Sequence, residues 1–319
     1  MLVTLREILK IAEAKKIAVG SFNTPNLESA MAVISAAEKL NQPVIIMHAE
    51  IHESMMPIDI IGPIMVGLAD RASVPVCVHL DHGADLAYLK HALELGFTSV
   101  MYDGSALEYD ENYANTCIAV MLAKRFGASV EAEIGVILRK ETAAGAAEEP
   151  EPDEPEDPSA TYTDPDLAKK FAEDTGIDAL ACAFGTAHGI YSKTPKLDFD
   201  RLAKIHSMVK VPIVMHGGSG VSNEDYRKAI ECGVRKINYY TYMAKAGGEA
   251  VIRSTDSVKY FHDLYSTGIS YKDNEADDKL GKNAETIKFY HDVVNIGVKA
   301  MMEDVGHAID VFALGAGKK

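Results

Sequence analysis

Residues 76–104, VCVHLDHGADLAYLKHALELGFTSVMYDG, contain two short apolar strand patterns on either side of one amphipathic helix pattern. The strand patterns are residues 76–80 and 99–102. Between them, Leu86, Leu89 and Leu93 recur at helical spacing before Gly96 ends the pattern. Continuous apolar strands that are joined through a helix are typical of a parallel sheet covered by helices. This unit therefore predicts an α/β fold.

The same alternation runs along the whole chain. Eight strand patterns are found, at residues 18–22, 44–47, 76–80, 99–102, 129–132, 179–183, 212–215 and 236–239. Eight strand–helix units fit a closed TIM (β/α)8 barrel better than an open doubly wound sheet. The sequence thus predicts a single (β/α)8-barrel domain over residues 1–319, with a last helical extension over residues 284–311.

Two segments interrupt this rhythm. Residues 140–166 contain the acidic run EEPEPDEPEDP, which is too polar to fold alone and predicts a mobile loop between the fifth and sixth strands. This loop is either a solvated surface insertion or an active-site lid, since βα loops lie on the catalytic face of a barrel. Residues 253–283 are polar and aperiodic, and they suit an insertion that reaches a neighbouring subunit.

Composition excludes several classes of protein. The chain is 47% apolar and 25% charged, as in an ordinary globular protein. Its net charge of −15 argues against nucleic-acid binding, which requires a basic face. No apolar run approaches the ~20 residues of a membrane helix, and residues 1–16 have the pattern of an amphipathic helix rather than a signal peptide. With four scattered cysteines, these features predict a cytoplasmic protein without membrane partners.

Candidate catalytic residues follow the strand patterns directly, because the chemistry of a TIM barrel lies at the C-terminal ends of its strands. His82, His188 and His216 follow three different strands, as in a catalytic zinc site with an open fourth position. His79 shares a strand face with Asp81 and is interpreted as a packed or supporting residue. The other histidines are interpreted as structural; they are His48, His52, His91, His206, His262, His291 and His307.

A glycine-rich segment, HGGSG at residues 216–220, follows the seventh strand pattern. Its glycines allow the backbone to approach an anion, and Ser219 adds a hydroxyl donor. Thr241, after the eighth strand, is placed to complete a phosphate site of the kind that TIM barrels build there. An acidic chain must build such a site locally, since its overall field repels anions.

Six segments, HLDHG, GFTSVMYDGS, SVEAEIG, GTAHGIY, MHGGSG and KINYYT, resemble in sequence and order the class II (zinc-dependent) fructose-bisphosphate and tagatose-bisphosphate aldolases. The resemblance implies one catalytic Zn²⁺ on His82, His188 and His216, and it allows a second or alternative cation. It implies that Asp81 is the proton donor and acceptor. It also implies that Asp103 and Glu133 hold the metal in an alternative position.

The resemblance further implies a reaction between dihydroxyacetone phosphate and an aldehyde, with fructose 1,6-bisphosphate or a related ketose phosphate as the expected substrate. The carbanion-forming base would be Glu141, by counting along the loop from Glu133. A homodimer or homotetramer is expected. The implied substrate- and phosphate-binding residues are Asn23, Gly189, Gly217, Gly218, Ser219, Asn238, Tyr239, Tyr240 and Thr241.

Three features depart from the family pattern. The loop after the fifth strand lacks the glycine pair and Glu-Asp that accompany the base. Tyr240 and Tyr242 replace small or acidic residues that face the sugar, and the Asp-Pro-Arg segment for the distal phosphate is missing. We therefore expect dihydroxyacetone phosphate as donor and an aldehyde other than glyceraldehyde 3-phosphate. The alternatives are a zinc-dependent hydrolase on the same barrel and a catalytically inactive family member.

Overall fold

The computed structural model describes residues 1–139, 161–191, 195–255 and 290–315. The described strands are β1 Val19–Asn23, β2 Val44–Ala49, β3 Val76–Gly83, β4 Ser99–Tyr102, β5 Ser129–Ile134, β6 Leu138–Arg139, β7 Ala179–Cys182, β8 Ala187–His188, β9 Ile213–Met215 and β10 Val234–Tyr239. The described α-helices are α1 Leu5–Lys15, α2 Leu27–Leu40, α3 Ile58–Arg71, α4 Leu86–Glu94, α5 Tyr109–Phe126, α6 Pro165–Thr175, α7 Phe199–Met208, α8 Asn223–Glu231, α9 Thr241–Thr255 and α10 Tyr290–Phe312. None of these helices is both long enough and apolar enough to cross a membrane.

Eight strands form a closed parallel barrel in the order β1-β10-β9-β7-β5-β4-β3-β2. The first and last strands close it, with Ser21 paired to Asn238 across β1 and β10. On the other side of β1, Asn23 pairs with Met47 of β2. The predicted TIM barrel is confirmed. The remaining two strands, β6 and β8, form a separate parallel pair.

Two apolar layers pack against the barrel strands, one outside the barrel and one at its N-terminal end. The larger layer lies between the strands and the outer helices and includes Phe22 and Phe171. The smaller layer fills the N-terminal end of the barrel, where Ile45, Val214 and Leu9 of α1 belong to one buried cluster. Because apolar side chains close that end, polar side chains that face the barrel interior lie towards the C-terminal ends of the strands, where a ligand can enter.

Helix α1 is fixed across the closed end by local and long-range contacts. Thr4 caps the helix and forms a capping box with Glu7. The Arg6 side chain pairs with Asp178 at 2.7 Å, and the Arg6 backbone N–H donates to the Ser129 hydroxyl at 3.0 Å. These contacts hold α1 against β5 and the residue before β7, so the apolar end of the barrel stays closed.

The segments that interrupt the barrel pattern are only partly described. The structure places the start of α6 at Pro165, capped by Asp164, so the last part of the predicted loop 140–166 is helical rather than loop. Of the predicted insertion 253–283, the structure describes residues 253–255, which belong to α9. Helix α10 corresponds to the expected extension and packs against α2 and α9.

Candidate active site

Three histidines converge at the open end of the barrel. His82 lies at the end of β3, His188 in β8 and His216 directly after β9. The ring of His82 is 4.7 Å from that of His216 and 4.9 Å from that of His188, centroid to centroid. One ring nitrogen from each histidine lies within 4.8 Å of the others. Three imidazole nitrogens at this spacing fit the donor set of an open zinc site.

His82 reaches this cluster because the end of β3 is distorted. Its φ of 48° lies in the left-handed region, which residues other than glycine seldom adopt. The pairing of β3 with β4 also shifts register between Leu80 and Gly83. Strand alternation would send Asp81 and His82 to opposite faces, but the distortion turns both side chains to the same end of the barrel.

A buried carboxylate orients His216. The Nε2 atom of His216 lies 2.8 Å from Oε1 of Glu131, and the Nζ atom of Lys236 lies 2.9 Å from Oε2 of the same carboxylate. All three side chains are fully buried. Because Nε2 donates its proton to Glu131, the Nδ1 lone pair of His216 is left to face the cluster. Burial disfavours the charged form of Glu131, but Lys236 and His216 outweigh it and lower the pKa of this carboxyl.

Glu131 and Lys236 were not among the residues singled out from the sequence. The available signal was strand alternation, which places Glu131 on the same face as Glu133 and Lys236 on the same face as Asn238. His79, interpreted as a supporting residue, is fully buried. Its Nδ1 atom lies 2.7 Å from the Ser99 hydroxyl, and its ring also approaches Glu131.

A second group of metal-binding side chains shares His82. One ligand atom each from His82, Asp103 and Glu133 lies within 4.8 Å of the others. The Asp103 carboxylate is 2.6 Å from Nδ1 of His82, and the bond leaves Nε2 of His82 free to face the cluster. Burial and the neighbouring Asp103 carboxylate raise the pKa of Glu133 to about 8. The sequence placed the same two carboxylates in an alternative metal position.

Asp81 is held as a carboxylate by two amides. Its Oδ2 accepts from Nδ2 of Asn23 at 2.9 Å, and its Oδ1 accepts from Nδ2 of Asn238 at 3.0 Å. Lys236 donates to the Asn238 Oδ1 at 2.7 Å, so the orientation of this amide is fixed. Burial disfavours ionisation of Asp81, but the neighbouring His82, His216 and Lys236 side chains outweigh it electrostatically and hold the pKa of Asp81 far below its usual range.

The glycine-rich segment after β9 forms a tight rim beside the histidines. Gly217 has a φ of 60°, and a Cβ there would lie 2.4 Å from the Ala187 carbonyl oxygen. The Tyr191 hydroxyl accepts from the Ala187 N–H at 2.7 Å and donates to the Gly217 carbonyl at 2.8 Å. A Cβ on Gly218 would lie 2.6 Å from the Asn238 carbonyl oxygen. Glycine is therefore required where β8, β9 and β10 meet.

The start of α9 completes this rim. The Tyr240 backbone N–H donates to the Ser219 hydroxyl at 2.9 Å, and Thr241 is the first residue of the helix. A helix N-terminus beside glycine backbone N–H groups suits an anion such as phosphate. Gly189, also expected here, follows β8 with a φ of 99°.

Two tyrosines lie elsewhere than the sequence indicated. Tyr239 packs its ring against Phe22 and Phe312, at centroid distances of 5.9 and 6.2 Å, on the helix side of the barrel. Its predicted substrate contact is therefore limited to the backbone, because alternation after the inward-facing Asn238 turns Tyr239 outward. Tyr242, expected to reshape the sugar pocket, instead lies against Gly220 and lines an outer cavity with Tyr226 and Asp304.

Glu141, the predicted loop base, lies outside the described residues. Tyr240 is at the open end of the barrel, where its ring lies 5.5 Å from that of His52. His52 and the buried His48 were both interpreted as structural from the sequence. Their rings are 6.0 Å apart, and the electrostatic influence of Asp81 reaches both of them.

A parallel barrel with a histidine–carboxylate centre at its strand ends defines a TIM-barrel protein whose strand ends carry side chains that could hold a metal ion. The sequence profile of fructose-bisphosphate aldolase class-II matches residues 3–316. The chain belongs to this family and is an aldolase-type lyase.

Individual relatives agree with this assignment. The Escherichia coli K12 protein YdjI is 36% identical over 260 residues, which cover 80% of this chain and 88% of YdjI. The crystal structure of the YdjI aldolase superposes with a TM-score of 0.76 at 30% identity, covering 98% of this chain and 97% of that one. A putative fructose-1,6-bisphosphate aldolase from Coccidioides immitis gives a TM-score of 0.71 at 26% identity, with 98% and 97% covered.

Proposed function

We propose that the protein is a zinc-dependent aldolase that reversibly joins dihydroxyacetone phosphate to an aldehyde to form a ketose phosphate. The observation that carries this proposal is the convergence of His82, His188 and His216 beside the ionised carboxylate of Asp81. A hydrolase on the same barrel would need the histidines but would leave the glycine-rich rim without a role.

The side chains fit a zinc ion. His82 and His216 each have one ring nitrogen bonded to a carboxylate, so the other nitrogen of each is directed to the common centre. The third nitrogen comes from His188. When bound there, zinc would supply Lewis acidity that polarises the carbonyl group of the donor.

Asp81 is placed to move the proton of the reaction. In the cleavage direction, its carboxylate takes the proton from the hydroxyl on the carbon that becomes the aldehyde. The adjacent carbon–carbon bond then breaks, and its electron pair remains on the donor fragment. In the condensation direction the same oxygen returns the proton. Asn23 and Asn238 hold both carboxylate oxygens, so the base keeps one orientation through both steps.

The rim formed by Gly217, Gly218 and Ser219 would bind the donor phosphate. Its glycines allow the backbone to come close to the ligand, the Ser219 hydroxyl can donate, and Thr241 begins α9 beside them. The two hydrogen bonds of the Tyr191 hydroxyl, to Ala187 and Gly217, keep this rim at a fixed distance from His188 and His216. A fixed distance between the phosphate and the metal centre orients the donor for bond formation.

A metal-titrated cleavage assay on fructose 1,6-bisphosphate, tagatose 1,6-bisphosphate and ketose 1-phosphates tests the proposal, with EDTA as the control. Cleavage that is lost with EDTA and restored by zinc is the expected result. Metal-dependent exchange of the donor's α-proton separates the alternatives, because an aldolase shows it and a hydrolase or an inactive relative does not. Absence of both cleavage and exchange would overturn the proposal.

A further inference from the structure

A wall of three side chains lies on the β10–β1–β2 side of the open end of the barrel. It consists of His48 in β2, His52 in the 3-10 turn Glu50–His52 that follows, and Tyr240 between β10 and α9. Strand β1 lies between β10 and β2 and carries Asn23, which donates to Asp81. We call this surface the His48–His52–Tyr240 wall. In the proposed reaction Asp81 serves the hydroxyl on the carbon that becomes the aldehyde, so this wall would face the aldehyde end of the substrate.

The wall contains hydrogen-bonding groups with no partner. His48 is completely buried, and neither of its ring nitrogens bonds to any described residue. The Nδ1 atom of His52 is also buried without a partner. A buried polar atom that lacks a partner is unfavourable, and natural proteins keep few of them outside sites that bind something. The unsatisfied nitrogens therefore leave hydrogen-bonding capacity in this wall for a ligand or an ordered water molecule.

The charges around the wall are negative. The carboxylate of Glu53 lies 3.9 Å from Nε2 of His48, and the carboxylate of Asp81 acts on both His48 and His52. Among the described side chains, no lysine or arginine forms an ion pair or hydrogen bond with His48, His52 or Tyr240. Burial lowers the pKa of His48 to about 4 and also lowers the pKa of His52. Both imidazoles are consequently neutral near pH 7.

The negative charges and the neutral imidazoles of the wall distinguish a ketose with a distal phosphate from a ketose with an uncharged distal end. A distal phosphate requires cationic or multiple donor groups, and beside Glu53 and Asp81 it would be repelled. Neutral imidazoles both donate and accept hydrogen bonds, as hydroxyl groups do. The Tyr240 ring next to His52 adds an apolar surface against which the carbon chain of a sugar can pack.

We infer that the wall binds an uncharged, hydroxyl-bearing chain, so that the substrate is a ketose 1-phosphate with a neutral distal end rather than a bisphosphate. His52 and Tyr240 form the contact surface, and the buried His48 packs behind His52. This inference rests on the proposed aldolase function. It concerns the aldehyde half of the substrate, whereas the metal centre and the glycine-rich rim concern the donor half.

The test compares kcat/KM for fructose 1-phosphate and fructose 1,6-bisphosphate in the zinc-loaded wild-type protein and in two variants. The wild type is expected to prefer the monophosphate by about tenfold or more. His52→Phe should reduce kcat/KM for the monophosphate by about 10- to 100-fold, as expected when hydroxyl contacts are lost in a specificity pocket. His52→Lys, which adds a cation, should shift preference towards the bisphosphate. His91→Phe, on the exposed face of α4, is the matched control and should leave the ratio unchanged.

Exchange of the α-proton of dihydroxyacetone phosphate tests the aldolase function separately from the substrate specificity of the wall, because this reaction needs no aldehyde. The His52 variants should retain exchange, which also shows that they are folded. Normal exchange together with a wild-type preference for the bisphosphate would overturn the inference and leave the aldolase function standing. An unchanged substrate ratio in both His52 variants would also overturn it. Absence of α-proton exchange in the zinc-loaded wild-type protein would overturn the proposed function itself.

Discussion

The Nδ1 atom of His216 lies 3.0 Å from the Nε2 atom of His82. The other ring nitrogen of each histidine is bonded to a carboxylate, Asp103 for His82 and Glu131 for His216. The two nitrogens that face each other would both present lone pairs if both rings were neutral, so a cation is needed between them. In the metal-free protein this cation is a proton, and a metal ion must replace it.

Zinc binding should therefore release a proton. Burial disfavours the charged form of His82, but the carboxylates of Asp81 and Asp103 outweigh it and raise its pKa to about 9. His82 is thus protonated at neutral pH and must lose its proton to bind metal. Apparent affinity should rise by about tenfold per pH unit up to pH near 9. Calorimetry in buffers of different ionisation enthalpy measures the release, and a value of zero at pH 7.5 would contradict this account.

Replacing Glu131 by glutamine should weaken zinc binding by about 10- to 100-fold, the usual effect of losing a carboxylate that orients a metal-binding histidine. The same change leaves the buried Lys236 ammonium without its counter-charge, so the protein should also be destabilised. Competition with a chromogenic chelator measures affinity, and thermal unfolding measures stability. In the double variant Glu131→Gln with Lys236→Met, the melting temperature should recover while zinc affinity stays low. Recovery of both, or of neither, would argue against the assigned roles.

Asp81→Asn should abolish carbon–carbon bond cleavage while the metal site stays intact. Removing a general acid–base group lowers the rate by about 10²- to 10⁴-fold, and asparagine keeps the shape of the side chain. Zinc affinity should change far less than cleavage, since Asp81 belongs to neither group of side chains positioned to hold a metal. Cleavage kinetics and zinc titration on the same preparation check both statements. A variant that keeps more than a tenth of the cleavage rate would place the proton transfer elsewhere.

The barrel was predictable because most of its eight strands contain short apolar runs separated by amphipathic helix patterns, and such strands are buried between a packed interior and a layer of helices. The histidines were predictable because strand ends converge in such a barrel. Glu131 and Lys236 were missed because a strand interior predicts apolar side chains. Two buried charges are favourable here only because Glu131 of β5 and Lys236 of β10 form an ion pair across the barrel interior. This ion pair forms only when the barrel closes, so the local sequence around either residue does not predict it.

The two tyrosine errors have a related cause. Both residues were assigned from the family resemblance. Tyr239 turns outward because it follows the inward-facing Asn238 in β10, whereas Tyr242 comes after the chain changes from strand to helix at Thr241. The period of side-chain direction therefore changes from two to 3.6 residues at that point. His48 and His52 were interpreted as structural because no recognisable catalytic motif surrounds them in the sequence. Only the approach of His52 to Tyr240 brings them to the site.

Gly217→Ala should damage the phosphate rim. The added Cβ would lie 2.4 Å from the Ala187 carbonyl oxygen, at a φ of 60° that alanine tolerates poorly. The rim must then open, so the KM for dihydroxyacetone phosphate in condensation should rise by about tenfold or more, because binding of the phosphate positions the donor. Gly248→Ala in α9 is the matched control, since a Cβ there meets no atom within 4 Å and alanine favours a helix. Equal KM values for the two variants would show that the rim does not bind the donor phosphate, and a raised KM in Gly217→Ala alone would support the assignment.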